Sequence, residues 1–432
     1  MARKMKDSGI EWIGEIPEGW EVHRMKSCIS QRDGGAWGDE ATGETGDCIC
    51  LRIADFDYGH FRFTDSNNLT IRHYASPIIK KLLLQKNDIL IEKSGGGEKT
   101  PVGRTVLFDK EYPALFANFM DRLRCSDFIL PQYLQYVFVT FYKNRYTQNY
   151  IKQTTGIQNL DLSSMLADEF VPVPNLNEQK LIVCYLESKC SKIDNLLSKT
   201  RSSIEEYKKL KQAVITQAVT KGIRGEREMK DSGVEWIGEI PKEWKCQKLK
   251  YTIFPQNRPV FSTDEIITCF RDGIVTLRKN RREDGFTVSF TEHGYQGVEI
   301  GDLVIHGMDA FAGAIGCSDS RGKTTPVVHV CTTTGNNRFF MFFLRHMAYS
   351  NIFMDFSNGI RIRSSDFRNF TKLGIFDVLV PPIAEQNEIA DYLDAKCTEI
   401  DKLIAKKEQL VKELENYKKS LIYEVVTGKR EV

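Results

Sequence analysis

One thirteen-residue phrase occurs twice in the chain, as MKDSGIEWIGEIP at residues 5–17 and as MKDSGVEWIGEIP at residues 229–241. The two copies differ only where Ile10 is replaced by Val234, and they lie 224 positions apart. The amino-acid sequence that follows each copy is not repeated. A long internal period of this kind is typical of a duplicated domain pair, so we expect two related halves rather than one continuous core.

A second repeat closes each half. Residues 171–174 and 378–381 both contain a Val-Pro element, a Glu-Gln pair follows, and the match continues without a gap to a Val-Thr pair at a shift of 207 positions. Since the first shift is 224 positions, the segment between the repeated elements is 17 residues longer in the first half. Two copies of one frame therefore surround two unlike inserts, at about residues 18–170 and 242–377.

Each copy of the second repeat predicts a long helix. Asn175 and Glu178 have the spacing of a capping box at the start of the first copy. No proline or glycine then interrupts the pattern until Gly222 in the first copy and Gly428 in the second. In the second copy apolar residues recur in steps of three and four, with Lys407 as the only break: Ile400, Leu403, Leu410, Leu414, Tyr417 and Leu421. This heptad seam predicts that the two helices pair as an intramolecular, antiparallel coiled coil.

The inserts have the short strand-like runs and separate helices of mixed α/β domains. Strands are predicted at residues 88–91, 105–108, 121–125, 301–306 and 326–330, and helices at residues 131–146 and 337–350. The predicted fold class is α+β: two mixed α/β domains separated by a long antiparallel two-helix coiled coil, with an internal pseudo-twofold repeat. The predicted boundaries are residues 1–170 and 223–377 for the mixed domains, each with its copy of the frame phrase, and residues 171–222 and 378–432 for the long helices.

Composition limits the setting in which the chain works. The net charge is +2, from 60 Lys and Arg against 58 Asp and Glu, so any nucleic-acid surface must be local. Eleven cysteines without a CxxC pair favour reduced thiols. The sequence has neither an apolar run near the ~20 residues of a membrane helix nor the apolar core of a signal peptide at its start. We therefore expect a cytoplasmic protein.

Some local patterns resemble enzyme motifs, but each is incomplete or is not kept in the repeat. The GKT triplet at residues 322–324 lacks the upstream glycine of a phosphate loop, which would fall at Cys317, and is interpreted as a turn between strands. A nuclease-like D…ExK pattern from Asp168 to Lys180 fails because the repeat aligns Lys180 with Asn387. No tetrapeptide of the NPPY type provides a pocket for a flipped adenine, and the histidines show no metal-ligand spacing. No catalytic or metal-binding residue is predicted.

The frame phrase, the VP…EQ element and the long helix that ends in VTKG or VTGK resemble the specificity subunit of type I restriction–modification systems, over the whole chain. The resemblance implies that each insert is a target recognition domain for one half of a split DNA sequence, and that the helices separate these domains and dock two modification subunits. It implies no catalysis and no cofactor in this chain. On partner subunits it implies adenine methylation with S-adenosylmethionine, and DNA cleavage by restriction subunits that use ATP and Mg²⁺.

Two half-sites lie at a fixed phase on a duplex that turns about every 34 Å, so two readers need a rigid spacer. Unlike inserts predict an asymmetric bipartite target, whereas identical inserts would read a palindrome. Two other interpretations remain open. One is a protein-interaction scaffold with two binding domains on a coiled-coil spacer. The other is an autonomous methyltransferase or nuclease, which would bind S-adenosylmethionine or metal by itself, although the missing motifs argue against it.

Candidate DNA contacts are polar and basic residues in presumed loops of the inserts, since phosphates need Lys or Arg and base edges need hydrogen-bonding side chains. In the first insert they are Lys93, Ser94, Lys99 and Arg104 around the triple glycine, and Lys152, Gln153, Thr154, Thr155, Gln158 and Asn159 around Gly156. In the second insert they are Arg278, Lys279, Asn280, Arg281, Arg282, Met308, Asp309, Arg321, Lys323, Arg361 and Arg363. His293 and His306 could contact a phosphate, but the preferred interpretation is that each is hydrogen-bonded inside its domain.

Overall fold

The computed structural model describes residues 3–65, 68–154, 156–281, 292–354 and 367–432. The chain divides into two compact units. Unit 1 contains residues 1–201 and 408–432, and unit 2 contains residues 202–407. Both long helices are present as predicted, and each contributes one part to each unit. The boundaries of the units therefore fall inside the helices.

Unit 1 contains the first insert between its frame elements. Its strands are β1 Met5–Asp7, β2 Glu15–Pro17, β3 Glu21–Arg24, β4 Ile29–Gly34, β5 Asp39–Glu40, β6 Asp47–Leu51, β7 Phe56–Asp57, β8 Arg62–Phe63, β9 Ile71–His73, β10 Ile89–Glu92, β11 Ser94–Gly95, β12 Thr105–Leu107, β13 Ala114–Phe116, β14 Met120–Cys125, β15 Ile151–Thr154, β16 Ile157–Leu160 and β17 Phe170–Val173. Its helices are α1 Ser76–Leu82, α2 Pro131–Lys143, α3 Leu162–Asp168 and the first part of α4 Leu176–Lys221.

A six-stranded sheet in the order β4-β14-β10-β12-β8-β7 forms the centre of unit 1. All four residues of β10 are buried, as expected for a strand between two neighbours with both faces covered. Helix α2 packs on this sheet, and it carries Pro131 in its first turn, where a missing N–H costs nothing. A four-stranded sheet, β13-β6-β9-β5, and a three-stranded sheet, β11-β16-β15, complete the insert.

Unit 2 contains the second insert. Its strands are β18 Met229–Asp231, β19 Glu239–Pro241, β20 Lys245–Lys248, β21 Ile253–Pro255, β22 Ile267–Cys269, β23 Val275–Leu277, β24 Gln296–Val298, β25 Leu303–His306, β26 Ile315–Cys317, β27 Gly322–Thr324, β28 Val328–Thr333 and β29 Asp377–Val380. Its helices are α5 Asn337–Tyr349, α6 Phe370–Leu373 and the first part of α7 Ile383–Val426. The main sheet has the order β21-β28-β25-β26, and β22-β23 and β24-β27 form separate pairs. The GKT triplet predicted as a turn is thus strand β27.

The frame phrase forms the same hairpin in both units. In unit 1, β1 and β2 pair antiparallel, and Ile13, Ile16 and Trp20 are buried in one core with the last turns of α7. The Tyr423 hydroxyl of α7 donates to the backbone carbonyl of Trp12, 3.3 Å away. In unit 2, β18 and β19 pair in the same register, and the equivalent core is Ile237, Ile240 and Trp244 with Ile215, Ala218 and Val219 at the end of α4. The repeated phrase therefore covers the C-terminal turns of a long helix in each unit.

An arginine, a tryptophan and a glutamate connect each hairpin to the start of a long helix. In unit 2 the Arg227 guanidinium lies 5.3 Å from the Trp244 ring centroid and 2.7 Å from Glu385 of α7. The indole N–H of Trp244 donates to the same carboxylate at 3.0 Å. The repeat-equivalent residues of unit 1 make the same ring contact and ion pair: Arg3, Trp20 and Glu178. The glutamate of the VP…EQ element is therefore a structural ion-pair partner in both copies.

The glutamine of the same element ties each insert to its long helix. Gln179 is fully buried, and its side-chain oxygen accepts the backbone N–H of Leu130, directly before α2, at 2.7 Å. Gln386 accepts the backbone N–H of Asn336, directly before α5, at 2.9 Å. The predicted capping by Asn175 is confirmed, since its side chain accepts the backbone N–H of Glu178 at 3.0 Å.

The two long helices run antiparallel beside one another within each unit. In unit 1 Asp194 of α4 pairs with Lys418 of α7 at 2.7 Å, and in unit 2 Lys211 of α4 pairs with Asp401 of α7 at 2.7 Å. The repeat shift of 207 positions converts one pair into the other. The predicted coiled-coil pairing is therefore confirmed within each unit.

The seam differs from the prediction in detail. Buried or half-buried positions of α7 recur in steps of three and four at residues 397, 400, 404, 407, 411, 414, 418, 421 and 425. Leu410 and Tyr417, which were predicted to lie in the seam, are 43% and 48% exposed. The physical reason is that seam position 418 is a lysine, so a pattern built on apolar residues selects the neighbouring tyrosine instead.

Candidate nucleic-acid interface

The two polar segments predicted in the first insert meet in one sheet. Residues 152–159, predicted as a loop, form the antiparallel hairpin β15–β16 with Gly156 in its turn at φ +85°. The triple-glycine segment contributes β11, which places Ser94 opposite Asn159. Two separate stretches of polar sequence thus form a single surface in the three-stranded sheet β11-β16-β15.

At Gly96 the triple-glycine segment lies close to the backbone of Val102. Gly96 has φ +62°, and a β-carbon at this position would lie 2.8 Å from the backbone nitrogen of Val102. A side chain is therefore excluded by both conformation and space. The neighbouring Gly97 meets no atom within 4 Å and has no left-handed conformation. Only one of these two glycines is required by the fold.

Several of the predicted contacts in unit 1 are exposed and weakly held. The side chain of Lys152 is 75% exposed and pairs with Asp161 at 2.8 Å. The Ser94 hydroxyl donates to the side-chain oxygen of Asn159 at 2.6 Å. Lys93 pairs with Asp121 at 2.7 Å. Lys99 and Gln153 are exposed. An exposed ion pair such as Lys152–Asp161 contributes about 0–1 kcal/mol, so a phosphate can replace Asp161 at small cost. Lys93 is held more firmly, because its partner Asp121 is buried.

Two other predicted contacts lie inside unit 1. Arg104 makes two bonds to the buried Glu92, at 2.7 and 2.9 Å, and its side chain is only 16% exposed. Its guanidinium also lies 3.8 Å from the centroid of the Tyr58 ring. Gln158 is buried, and its side-chain oxygen lies 3.3 Å from the Val102 backbone N–H that donates to it. These contacts hold the sheets of the insert together, and a contact of either residue with DNA stays a prediction.

The basic run of the second insert is a short 3-10 turn after β23. Its side chains bond within unit 2: Arg278 with Thr268 at 3.2 Å, Lys279 with Glu265 at 2.5 Å, Asn280 with Thr276 at 3.0 Å, and Arg281 with Asp272 at 2.8 Å. Burial would raise the pKa of Asp272, but the hydrogen bonds and charge of Arg281 lower it. Two cations of the basic run, Lys279 and Arg281, are therefore paired with carboxylates of their own domain.

Arg278 and Arg281 of the basic run and Asp309 of a second predicted segment line one cavity of about 740 Å³ in unit 2. Sequence reasoning missed Thr268 and Arg271 of this cavity, and it interpreted His306 as an internal histidine. Arg271 pairs with Asp309 at 2.8 Å. These residues come from three segments, at residues 268–271, 278–281 and 306–309, and no linear pattern joins them. The signal in the sequence was only the presence of polar residues at the ends of β22 and β25.

The remaining predicted residues lie elsewhere or outside the described part. Arg321 contacts Asp264 at 3.2 Å and Glu299, and it stacks on Phe261. Lys323 pairs with Glu292 at 2.6 Å, and Met308 is exposed. Thr154 ends strand β15. Outside the described residues lie Thr155, Arg282, Arg361 and Arg363.

Among the described residues no group of three or more His, Cys, Asp and Glu side chains is arranged to hold a metal ion. Likewise, in the part of the chain that the structure describes, each helix is too short or too polar to cross a membrane.

Comparison with known proteins finds a family model and several relatives that this chain resembles. Residues 17–206 match the family model described as type I restriction modification DNA specificity domain. The putative type I restriction enzyme MjaX specificity subunit of Methanocaldococcus jannaschii is 26% identical, covering 96% of this chain and 95% of the relative. The MjaVIII specificity subunit of the same organism is 25% identical, covering 65% of this chain and 60% of the relative.

Solved structures share the fold across the whole chain. A chain from a study of complex assembly and conformational transition of the type I R-M system has a TM-score of 0.68 at 13% identity, covering 96% of this chain and 99% of the other. The HsdS subunit from Thermoanaerobacter tengcongensis has a TM-score of 0.51 at 12% identity, covering 96% and 98%. The family model and the curated relatives support a DNA-recognition subunit, and the solved structures show the same fold. The predicted resemblance to the specificity subunits of type I restriction–modification systems is confirmed by the family model, the curated relatives and the shared fold.

Proposed function

We propose that this chain reads an asymmetric bipartite DNA target, with each insert reading one half-site, and that it presents the DNA to adenine-methyltransferase subunits docked on its helices. The observation that carries the proposal is the contrast between frame and inserts. The frame hairpin, its Arg-Trp-Glu contact and the buried glutamine recur in both units, whereas the polar surfaces of the inserts do not. Repeated parts serve assembly, and unlike parts serve recognition.

The two inserts offer different groups to DNA. Unit 1 presents a hairpin with exposed lysine and amide side chains, and unit 2 presents a cavity lined by arginine, threonine and histidine. Base edges differ in their pattern of donors and acceptors in the major groove, so unlike sets of side chains select unlike sequences. This difference supports an asymmetric rather than a palindromic target.

The ion pairs in the helix seam support a fixed register between the helices. A polar group in a coiled-coil seam specifies register because any slip leaves it without its partner. Lys418 and Lys211 occupy the same repeat position, and each pairs with an aspartate of the other helix, Asp194 at 13% and Asp401 at 56% exposure. We infer that the helices set the gap between the half-sites. Inserting one heptad into both helices adds about 10 Å at 1.5 Å per residue, or about three base pairs of gap.

Exposed apolar residues at one repeat position support docking of two like partners. Leu210 of α4 and Tyr417 of α7 are related by the shift of 207 positions, and they are 49% and 48% exposed. Methyltransferase subunits that contact both residues would bind as two copies, one for each half of the repeat. S-adenosylmethionine, ATP and Mg²⁺ belong to the partner subunits in this proposal, and the assembled complex works in the cytoplasm.

Sequencing of methylated DNA from cells that express the chain with its modification subunits tests the proposal. We expect methylated adenines in one motif with two unlike half-sites and a constant gap. Exchange of residues 18–170 for the insert of another specificity subunit should replace one half-site and keep the other. Absence of a motif, or an exchange that alters neither half-site, contradicts the proposed function.

A further inference from the structure

The cavity of unit 2 has a polar lining. DNA recognition in general does not explain which chemical group these side chains bind. Its volume is about 740 Å³, and it lies between the ends of strands β22, β25 and β27 and the turn after β23. Its polar side chains are those of three arginines, one histidine, two aspartates and three threonines: Arg271, Arg278, Arg281, His306, Asp272, Asp309, Thr268, Thr324 and Thr325. Because the guanidinium groups and the imidazole come from separate elements, only the folded insert brings them together.

His306 is fixed in one orientation by its own chain. It is the last residue of β25, and its backbone N–H donates to Ala314 at 3.0 Å. The ring atom Nδ1 accepts the backbone N–H groups of Met308 at 3.3 Å and Asp309 at 3.1 Å. The ring is thus held by the turn that follows the strand.

These contacts decide where the proton of the imidazole lies. Both hydrogen-bond partners of Nδ1 are donors, and the Asp309 carboxylate oxygen lies beyond hydrogen-bond distance at 3.8 Å. Nδ1 must therefore accept, and the neutral ring carries its hydrogen on Nε2. Burial lowers the pKa of His306 below its ordinary value, so the ring is neutral at pH 7. Within the described part of the chain Nε2 has no hydrogen-bond partner. A single oriented N–H donor is therefore left for a ligand.

The cavity that His306 lines also contains three arginines, whose guanidinium groups are donors, and two aspartates that bond to two of them. Arg271 and Arg281 are oriented by Asp309 and Asp272 at 2.8 Å each, which leaves further guanidinium N–H groups for another acceptor. The ligand that fits two neighbouring donors is one with two neighbouring acceptors. In the major groove guanine alone offers two acceptors, O6 and N7, without an adjacent donor, whereas adenine presents its N6 amino group beside N7.

We propose that this cavity binds the major-groove edge of a guanine in the second half-site, with His306 Nε2–H donating to N7. The proposal rests on the proposed function and specifies one of its contacts. The carboxylates of Asp272 and Asp309 support the base contact, because they hold the arginines in place and repel phosphate groups. His306 is thus a specificity-determining residue, and the arginines of the cavity complete the contact.

His306→Asn separates the two roles of the ring. An asparagine oxygen can still accept backbone N–H groups two and three residues ahead, as Nδ1 does, but the variant lacks the outer N–H. His23→Asn in unit 1 is the matched control, since His23 lies outside this cavity. Methylation motifs are read from cells with the modification subunits. We expect His306→Asn to reduce discrimination at one guanine of one half-site by about 5- to 150-fold, with the other half-site unchanged.

A change in the DNA tests the same contact without altering the protein. 7-Deazaguanine pairs normally but has no N7 acceptor. We expect it to weaken binding of the wild-type complex at that one position, and to have no further effect on the His306→Asn complex. Two results would overturn the inference: an equal effect of 7-deazaguanine on both proteins, or an unchanged motif for His306→Asn. In either case a bipartite motif of the wild-type complex still supports the proposed function.

A uniform loss of binding to all sequences also overturns the inference, because it indicates a phosphate contact. If His306→Asn fails to fold, the wild-type measurement with 7-deazaguanine decides alone. Failure of the proposed function has a different signature, since the wild-type complex then shows no bipartite motif at all.

Discussion

Removal of the buried lysine from the helix seam tests how the long helices pair. Lys418 Nζ donates to both Asp194 oxygens at 2.7 and 2.8 Å and to the Gly59 carbonyl at 2.7 Å, and the two charged side chains are 10% and 13% exposed. Lys418→Met keeps the apolar stem and removes the ammonium group. The Asp194 carboxylate then loses its main partner and keeps only the more distant His60 Nε2, 4.0 Å away, among the ion pairs of the described residues. Loss of one partner of a buried ion pair costs about 3–5 kcal/mol.

The repeat supplies a matched control at the equivalent position. Lys211→Met removes the partner of Asp401, whose side chain is 56% exposed and stays hydrated. A pair of this kind contributes about 0–1 kcal/mol. The same substitution should therefore destabilise unit 1 by at least about 2 kcal/mol more than it destabilises unit 2. In equilibrium terms the difference is about 30-fold or more.

Urea unfolding of the full chain, followed by hydrogen exchange in peptides from both helices, measures the two effects separately. Peptides around residues 190–197 and 414–421 report on the first ion pair, and peptides around residues 397–404 report on the second. The double variant Asp194→Leu with Lys418→Met should recover most of the loss, because replacement of both charges removes the unpaired group. Equal losses for the two single variants would refute the reasoning that burial decides the cost.

Three further results are expected. Burial lowers the pKa of His346 to about 4, while the ordinary value is 6.5, so acidification from pH 7.5 to pH 5 lets the unfolded chain take up a proton that the folded chain refuses. The free energy of unfolding of unit 2 should fall by about 2 kcal/mol in a urea titration, with His346→Asn as the control that does not titrate. Tyr417→Asp or Leu210→Asp should each remove one of two modification subunits, counted by native mass spectrometry, and two retained copies would contradict the docking proposal. Gly96→Ala should cost about 1–2 kcal/mol because of its left-handed backbone, whereas Gly97→Ala should be neutral in thermal unfolding, and equal effects would contradict the close approach at residue 96.

The frame could be predicted from the sequence because its signals are local or periodic. Repeated phrases, a capping asparagine and a pattern of threes and fours are visible without knowledge of tertiary contacts. The strands predicted at residues 88–91, 105–108 and 121–125 also formed, at Ile89–Glu92, Thr105–Leu107 and Met120–Cys125, since short apolar runs between turn residues have few alternatives. Local sequence therefore predicted the elements.

The candidate site could be predicted only in part, because its geometry is not local. The β15–β16 hairpin was interpreted as a loop, since its polar residues follow no alternation with apolar ones. Arg104 looked like a surface cation, but the buried Glu92 that holds it lies across a strand pair. The cavity around His306 requires four segments, and the sequence does not show that they converge. The sequence shows which side chains are polar, whereas their contacts within the folded chain decide which of them are available to DNA.

One property of the frame explains how two unlike inserts share it. Gln179 and Gln386 hold the entry to α2 and α5 by accepting backbone N–H groups, which every residue except proline supplies. The frame therefore recognises the path of the insert's chain and not its side chains. Because the contact is insensitive to the insert's sequence, the residues of each insert are free to change with the DNA they read, while the glutamine must stay to satisfy the buried amide.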